Sequence, residues 1–198
     1  MRIFYSGNKF DHYDLKRGLS FEHVNFYESL RKYPGAEVVY FPLDRIIEVG
    51  KKRFNEEIFE AAKKGRPDLY FFFMYSDELD KDILEEFKKF TVSVAWFADD
   101  SWRFYNYSRF WVPYFTWVVT TYSWMPELYK KIGQPKAIRS QWAANINIYK
   151  PRPWSESVEP PEVSFVGGWS SPREKILSIL KKAGINVVAY GSGWPAGR

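Results

Sequence analysis

Short β-prone runs alternate with helical segments along most of the chain, and this alternation constrains the fold more than any other feature. Arg2-Ile3-Phe4-Tyr5, Glu37–Phe41, Leu69–Met74, Thr91–Phe97, Phe115–Thr120 and Lys136–Arg139 read as six strands, most of them bounded by Gly, Pro, Asn or Asp. Between them apolar residues fall at helical spacing. One such segment runs from Leu19 to Lys32 with Ser20 as N-cap, a second from Lys51 to Lys64, and a third from Asp77 or Asp80 through Phe90. A fourth starts at Met125-Pro126, where proline suits a first turn, and stops at Gly133. Leu69–Met74 is continuously apolar, the pattern of a strand buried on both faces. The pattern predicts an α/β fold, a parallel sheet with helices on both faces.

The character changes at residues 147–161, where four prolines and Ser155-Glu156-Ser157 read as a linker. A strand (162–168), a helix (Pro172–Ala183) and a further strand (Asn186–Tyr190) follow. The organisation expected is a first domain over 1–146, a linker over 147–161, and the start of a second domain over 162–198. One βαβ unit cannot cover both faces of its own strand pair, so the natural protein is expected to continue beyond Arg198. An unpaired last strand also invites pairing between chains, so self-association is expected.

Composition narrows the chemistry. Cysteine is absent, which excludes disulfides, thiolate metal sites and Cys nucleophiles, and two histidines exclude a His-rich metal centre. No metal and no cofactor is expected. A net charge of +5 favours an anionic ligand, yet the basic residues do not form the clustered stripe of a nucleic-acid binder. No apolar run approaches the roughly 20 residues that span a bilayer, and the first strand begins at Arg2, so a soluble cytoplasmic protein is expected. The 9 Trp, 14 Tyr and 17 Phe are an unusual content that reads as a heavy core, the default for such side chains, or as a stacking surface for sugars or bases.

Three places carry candidate chemistry, because ligands of open α/β sheets bind at the carboxyl ends of strands. The loop after the first strand holds Ser6, Gly7, Asn8, Asp11, His12 and Arg17; an ordinary solvated surface loop is the alternative. Asp99 and Asp100 directly follow the fourth strand, one suited to hydroxyl recognition or base chemistry and the other to capping the next helix. Trp102 and Arg103 open an aromatic run in which Phe104, Tyr107 and Trp111 keep helical spacing and read as core. Farther on, Gly167-Gly168 ends a strand before a helix whose first turn holds Arg173, a place suited to phosphate; a plain tight turn is the alternative. Gly191-Ser192-Gly193-Trp194-Pro195-Ala196 has dinucleotide-fingerprint spacing but no helix behind it to bear phosphate.

Val163-Ser164-Phe165-Val166-Gly167-Gly168, Arg173, Gly184-Ile185-Asn186-Val187 and Tyr190-Gly191-Ser192-Gly193-Trp194 together resemble the spore-maturation (CgeB-like) glycosyltransferases. Trp96-Phe97-Ala98-Asp99-Asp100, Trp142-Ala143-Ala144-Asn145 and Tyr149-Lys150-Pro151 are similar to that family too. The resemblance implies a GT-B fold of two facing Rossmann-like domains, with this chain supplying the acceptor-side domain and the opening of the nucleotide-binding one. It implies a nucleotide sugar as donor substrate and an acceptor that the loop after the first strand faces. His12, Asp99 and Asp100 become the candidates for catalysis, and Ser6, Gly7, Asn8, Asp11, Arg17, Trp102 and Arg103 for acceptor binding. Gly167, Gly168, Arg173, Gly191, Ser192 and Gly193 become the candidates for the nucleotide phosphates. Most donor contacts of such enzymes lie beyond residue 198, so the chain alone is expected to be inactive. A non-catalytic carbohydrate- or partner-binding module is the alternative.

Overall fold

The computed structural model of the chain describes residues 1–151 and 161–194. Most of the linker expected over 147–161, and Pro195-Ala196, lie outside the described residues. Two compact units are present, Met1–Lys150 and Pro151–Arg198.

In chain order the first unit comprises β1 (Arg2–Ser6), a π-helical segment (His23–Tyr27) running into α1 (Glu28–Arg31), β2 (Glu37–Tyr40), α2 (Arg45–Val49) and α3 (Lys51–Gly65). Then come β3 (Leu69–Phe73), α4 (Lys81–Phe87), β4 (Val92–Phe97), α5 (Asp100–Arg103), β5 (Trp117–Thr120), α6 (Met125–Lys131) and β6 (Ala137–Arg139). The strands lie in the order β2-β1-β3-β4-β5-β6 and all pairs are parallel, as the alternation requires. The register places Phe4 beside Val39 and Tyr70, and Trp96 beside Phe73 and Val119.

Strand side chains alternate between two faces. On one face Phe4, Tyr70, Phe72, Ala95, Phe97 and Val118 form a continuous core with Phe54, Ile58 and Ala62 of α3, Leu84 and Phe87 of α4, and Tyr129 of α6. Phe54, Ile58 and Ala62 are four residues apart, so they make one stripe along α3, and the charged residues of that helix take the other side. On the opposite face Phe73, Trp96 and Val119 are buried against Phe26. Aromatic rings dominate both, with Tyr70 and Phe72 stacked at 4.0 Å between centroids.

Three departures from the sequence reading have local causes. Ser20 does cap the first helix, its Oγ accepting from the His23 N–H at 3.0 Å, but the next turn widens to a π-segment that 3.6-residue spacing cannot foretell. The five-residue α2 was not expected. The run Phe104, Tyr107, Trp111 does not form one helix: α5 stops at Arg103, and two 3-10 turns (Ser108–Phe110 and Val112–Tyr114) follow, the second holding Pro113. Phe104 and Trp111 are buried nonetheless.

The second unit contains β7 (Val163–Val166), α7 (Ser171–Lys182) and β8 (Val187–Tyr190). β7 and β8 pair in parallel, with Phe165 beside Ala189, and Leu177 of α7 is buried with Val187. Among the described residues, no helix is long and apolar enough to cross a membrane.

Candidate ligand-binding site

The strand order reverses between β1 and β3, so the crevice at the carboxyl ends of β1, β3 and β4 is the topological switch point where such sheets take ligands. The loops leaving these strands are tied together. Arg103, after β4, donates to the carbonyl of Tyr75, after β3, at 2.7 Å, and the Tyr107 hydroxyl donates to the Ser76 carbonyl at 2.7 Å. Glu78 braces the same loop: its Oε1 accepts from the Ser76 N–H at 2.6 Å, the Ser76 hydroxyl at 2.9 Å and the Tyr13 hydroxyl at 2.8 Å. Burial and the neighbouring Glu78 hold the Tyr13 phenol well above its ordinary pKa, which keeps it a donor. Through Tyr13 the loop after β1 joins the other two.

Asp99 stands between two hollows of this rim. One, of about 550 Å³, is lined by Phe21, Glu22, Phe73, Ala98, Asp99 and Trp142–Ala144. The other, of about 540 Å³, is lined by Tyr75, Ser76, Asp99, Trp102, Arg103, Asn106 and Tyr107. Asp99 holds a left-handed backbone (φ 60°, ψ 25°). His12 and Tyr13, at φ 51° and 60°, do likewise, so three of the four non-glycine residues with positive φ among the described residues belong to this rim. Such strain gathers where surrounding structure fixes a site.

The individual candidates separate. Asp99, Trp102 and Arg103 come together at the second hollow. His12 joins them through Tyr75, whose hydroxyl lies 3.2 Å from His12 Nδ1. Asp11 is bound to Arg17, Nε to Oδ2 at 2.7 Å, and both are exposed. Ser6, Gly7 and Asn8 do not face an acceptor through side chains. The Ser6 hydroxyl is buried 3.0 Å from that of Tyr70, Gly7 packs where a Cβ would sit 2.5 Å from the Tyr5 hydroxyl, and Asn8 is buried, its carbonyl accepting from Ser20.

Asp100 corrects the reading of the acidic pair. It is fully buried, with Oδ1 accepting from the Ser108 hydroxyl at 2.7 Å and Oδ2 from the Tyr129 hydroxyl. Burial pushes its carboxyl above the ordinary range, and the hydrogen bonds oppose that rise without cancelling it. Asp100 therefore anchors the turn from beneath and offers no oxygen to a ligand. Neither aspartate caps α5 through its side chain.

Sequence reasoning passed over Tyr75, Ser76 and Glu22. Tyr75 and Ser76 follow the carboxyl end of β3, and the strand-end rule applied to β1 and β4 reaches them as well. Glu22 has no such signal: the first turn of the helix after β1 brings it to the hollow. Burial is the largest influence on its carboxyl and raises it, with Asp11 adding to the rise and His12 and the Ser20 hydroxyl opposing it. The Trp142 wall is held by Asn145, whose Nδ2 donates to the Val24 carbonyl in the π-segment at 2.7 Å.

In the second unit the glycines lie against one another. Trp194 Nε1 donates to the Gly167 carbonyl at 2.8 Å, the Gly167 N–H to the Tyr190 carbonyl at 2.8 Å, and the Trp169 N–H to the Ser192 carbonyl at 2.8 Å. Arg173 donates to the Gly168 carbonyl at 2.7 Å and lies over Phe165. Gly167, Gly168, Gly191, Ser192, Gly193 and Arg173 thus form one cluster at the carboxyl ends of β7 and β8.

No protein-family model matches the chain, and no curated protein matches it. Solved structures do. The apo form of the lipopolysaccharide outer core galactosyltransferase WaaB matches with a TM-score of 0.55 at 13% identity, over 99% of this chain and 69% of that chain. The chain therefore shares the fold of that structure, a parallel α/β sheet of the Rossmann-like type.

Proposed function

We propose that the chain is the acceptor-side part of a GT-B glycosyltransferase, with the opening of its nucleotide-binding domain, moving a sugar from a nucleotide-sugar donor to an acceptor. The observation that carries this reading is the convergence of three strand-end loops on Asp99, in a fold shared with a galactosyltransferase. Asp99, with an exposed carboxylate at the rim, is the candidate base or hydroxyl acceptor; His12, beside Tyr75, is the second. Trp102 and Arg103 offer a stacking ring and a planar cation for the acceptor. The glycine cluster is suited to a diphosphate, since glycine permits close backbone approach and α7 begins beside it. The motifs that resemble the spore-maturation transferases are distributed over both units in the manner this reading requires.

A binding module without catalysis is the second reading, and one observation favours it: Arg173 is already engaged with the Gly168 carbonyl. The thermal stability of the chain with uridine, guanosine and thymidine diphosphates and their sugars separates the two, because a ligand that binds only the folded state raises its stability. A rise with one nucleotide class, lost in Arg173→Ala, supports the transferase. No rise with any of them, for this chain and for a longer chain that carries a full nucleotide-binding domain, favours the binding module.

A further inference from the structure

The hollow between the first helix and Trp142 has a chemistry of its own. Its walls are aromatic or small: Phe21 and Trp142 present exposed rings, edge to face at 5.2 Å, over Phe73, Ala98, Ala143 and Ala144. Among the described residues, the charged groups that line it are the carboxylates of Glu22 and Asp99. A wall without Lys, Arg or His repels phosphate and carboxylate ligands. At about 550 Å³ the hollow falls within the roughly 300–1,000 Å³ usual for small-molecule sites. Behind the exposed ring, Trp96 packs on Trp142 at 5.6 Å, and its indole N–H is buried with no acceptor among the described residues.

We infer that this hollow binds a neutral pyranose ring, which stacks its C–H face on Trp142 while its hydroxyls donate to Glu22 and Asp99. Two acceptor-only carboxylates suit a ligand rich in O–H donors, and the ring face provides apolar contact of the kind that fills such sites. Burial keeps the Glu22 carboxyl above its ordinary range, so its ionised form gains most from a donating hydroxyl. The inference deepens the transferase reading by adding a second part of the acceptor site, across Asp99 from Trp102 and Arg103, and naming the ligand class it takes; it rests on that reading only for the word acceptor.

The test is a titration of the whole chain with methyl β-galactopyranoside and methyl β-glucopyranoside, followed by the indole N–H signals in NMR, with Trp142→Phe assigning the signal of interest. A saturable shift of the Trp142 signal is expected. Glu22→Gln and Trp142→Ala should each weaken binding by about tenfold or more, equal to about 1.4 kcal/mol, Glu22→Gln with a melting temperature near that of the parent. A shift at Trp102 without one at Trp142 overturns the inference, as does no shift with either glycoside. Binding of lysinamide in place of the glycosides would show a cation site and overturns it too. A Trp142 response without any nucleotide-induced stabilisation would leave this site standing and the transferase reading unsupported.

Discussion

The Arg103 guanidinium donates to the Tyr75 carbonyl and lies 3.8 Å over the Tyr107 ring, so one side chain fastens the loop after β4 to the loop after β3. Stacking over the ring while donating to the carbonyl needs the planar guanidinium. Arg103→Ala should therefore loosen the rim while leaving the sheet intact. The measurement is amide hydrogen exchange: residues 75–77 should exchange faster, β3 and β4 should be unchanged, and Arg103→Lys should fail to restore protection.

Asp99 and Asp100 should respond in opposite ways. Asp100→Ala leaves the Ser108 and Tyr129 hydroxyls buried without their acceptor, a loss of about 3 kcal/mol in urea unfolding. Asp99→Asn keeps a residue type that tolerates the left-handed backbone, so stability should stay within about 0.5 kcal/mol. Ligand binding at both hollows should weaken.

Gly191 gives a steric test of the second unit. A Cβ there would lie 2.3 Å from the Gly167 carbonyl oxygen, at φ +144°, whereas a Cβ on Gly184, at φ +83°, meets nothing within 4 Å. Gly184→Ala should cost about 1 kcal/mol, the backbone term alone. Gly191→Ala adds a backbone collision and should cost about 3 kcal/mol or more, read as loss of exchange protection in β7 and β8.

His23 makes stability depend on pH. It is buried in ring contact with Tyr27 and Tyr40, and that burial lowers its pKa below the ordinary 6.5 against the pull of Glu28. The unfolded chain thus binds the proton first as pH falls. The contribution to stability is intact above pH 6.5 and is lost as pH falls through the folded value. Between about pH 8 and pH 5, the parent should lose stability relative to His23→Gln in parallel denaturant titrations. Equal slopes for the two proteins would contradict the assignment.

The alternation of strand and helix periods was enough to place the six strands of the first unit and to make them parallel, but not to order them. Runs such as Leu69–Met74 have one low-energy fate once helices alternate with them, and the stripe Phe54, Ile58, Ala62 specifies which side of α3 meets the sheet. The strand-end rule likewise brought Asp99, Trp102 and Arg103 to the rim. Which of two adjacent aspartates faces solvent was settled by folding, because Asp100 is claimed by Ser108 and by Tyr129, the latter 29 residues away. The hollow beside Glu22 depends on an even longer reach, Asn145 to Val24 across 121 residues. Periodicity reports the environment of a segment averaged over its turns, whereas the direction of one side chain in a loop follows from hydrogen bonds between segments that meet only when the chain has folded.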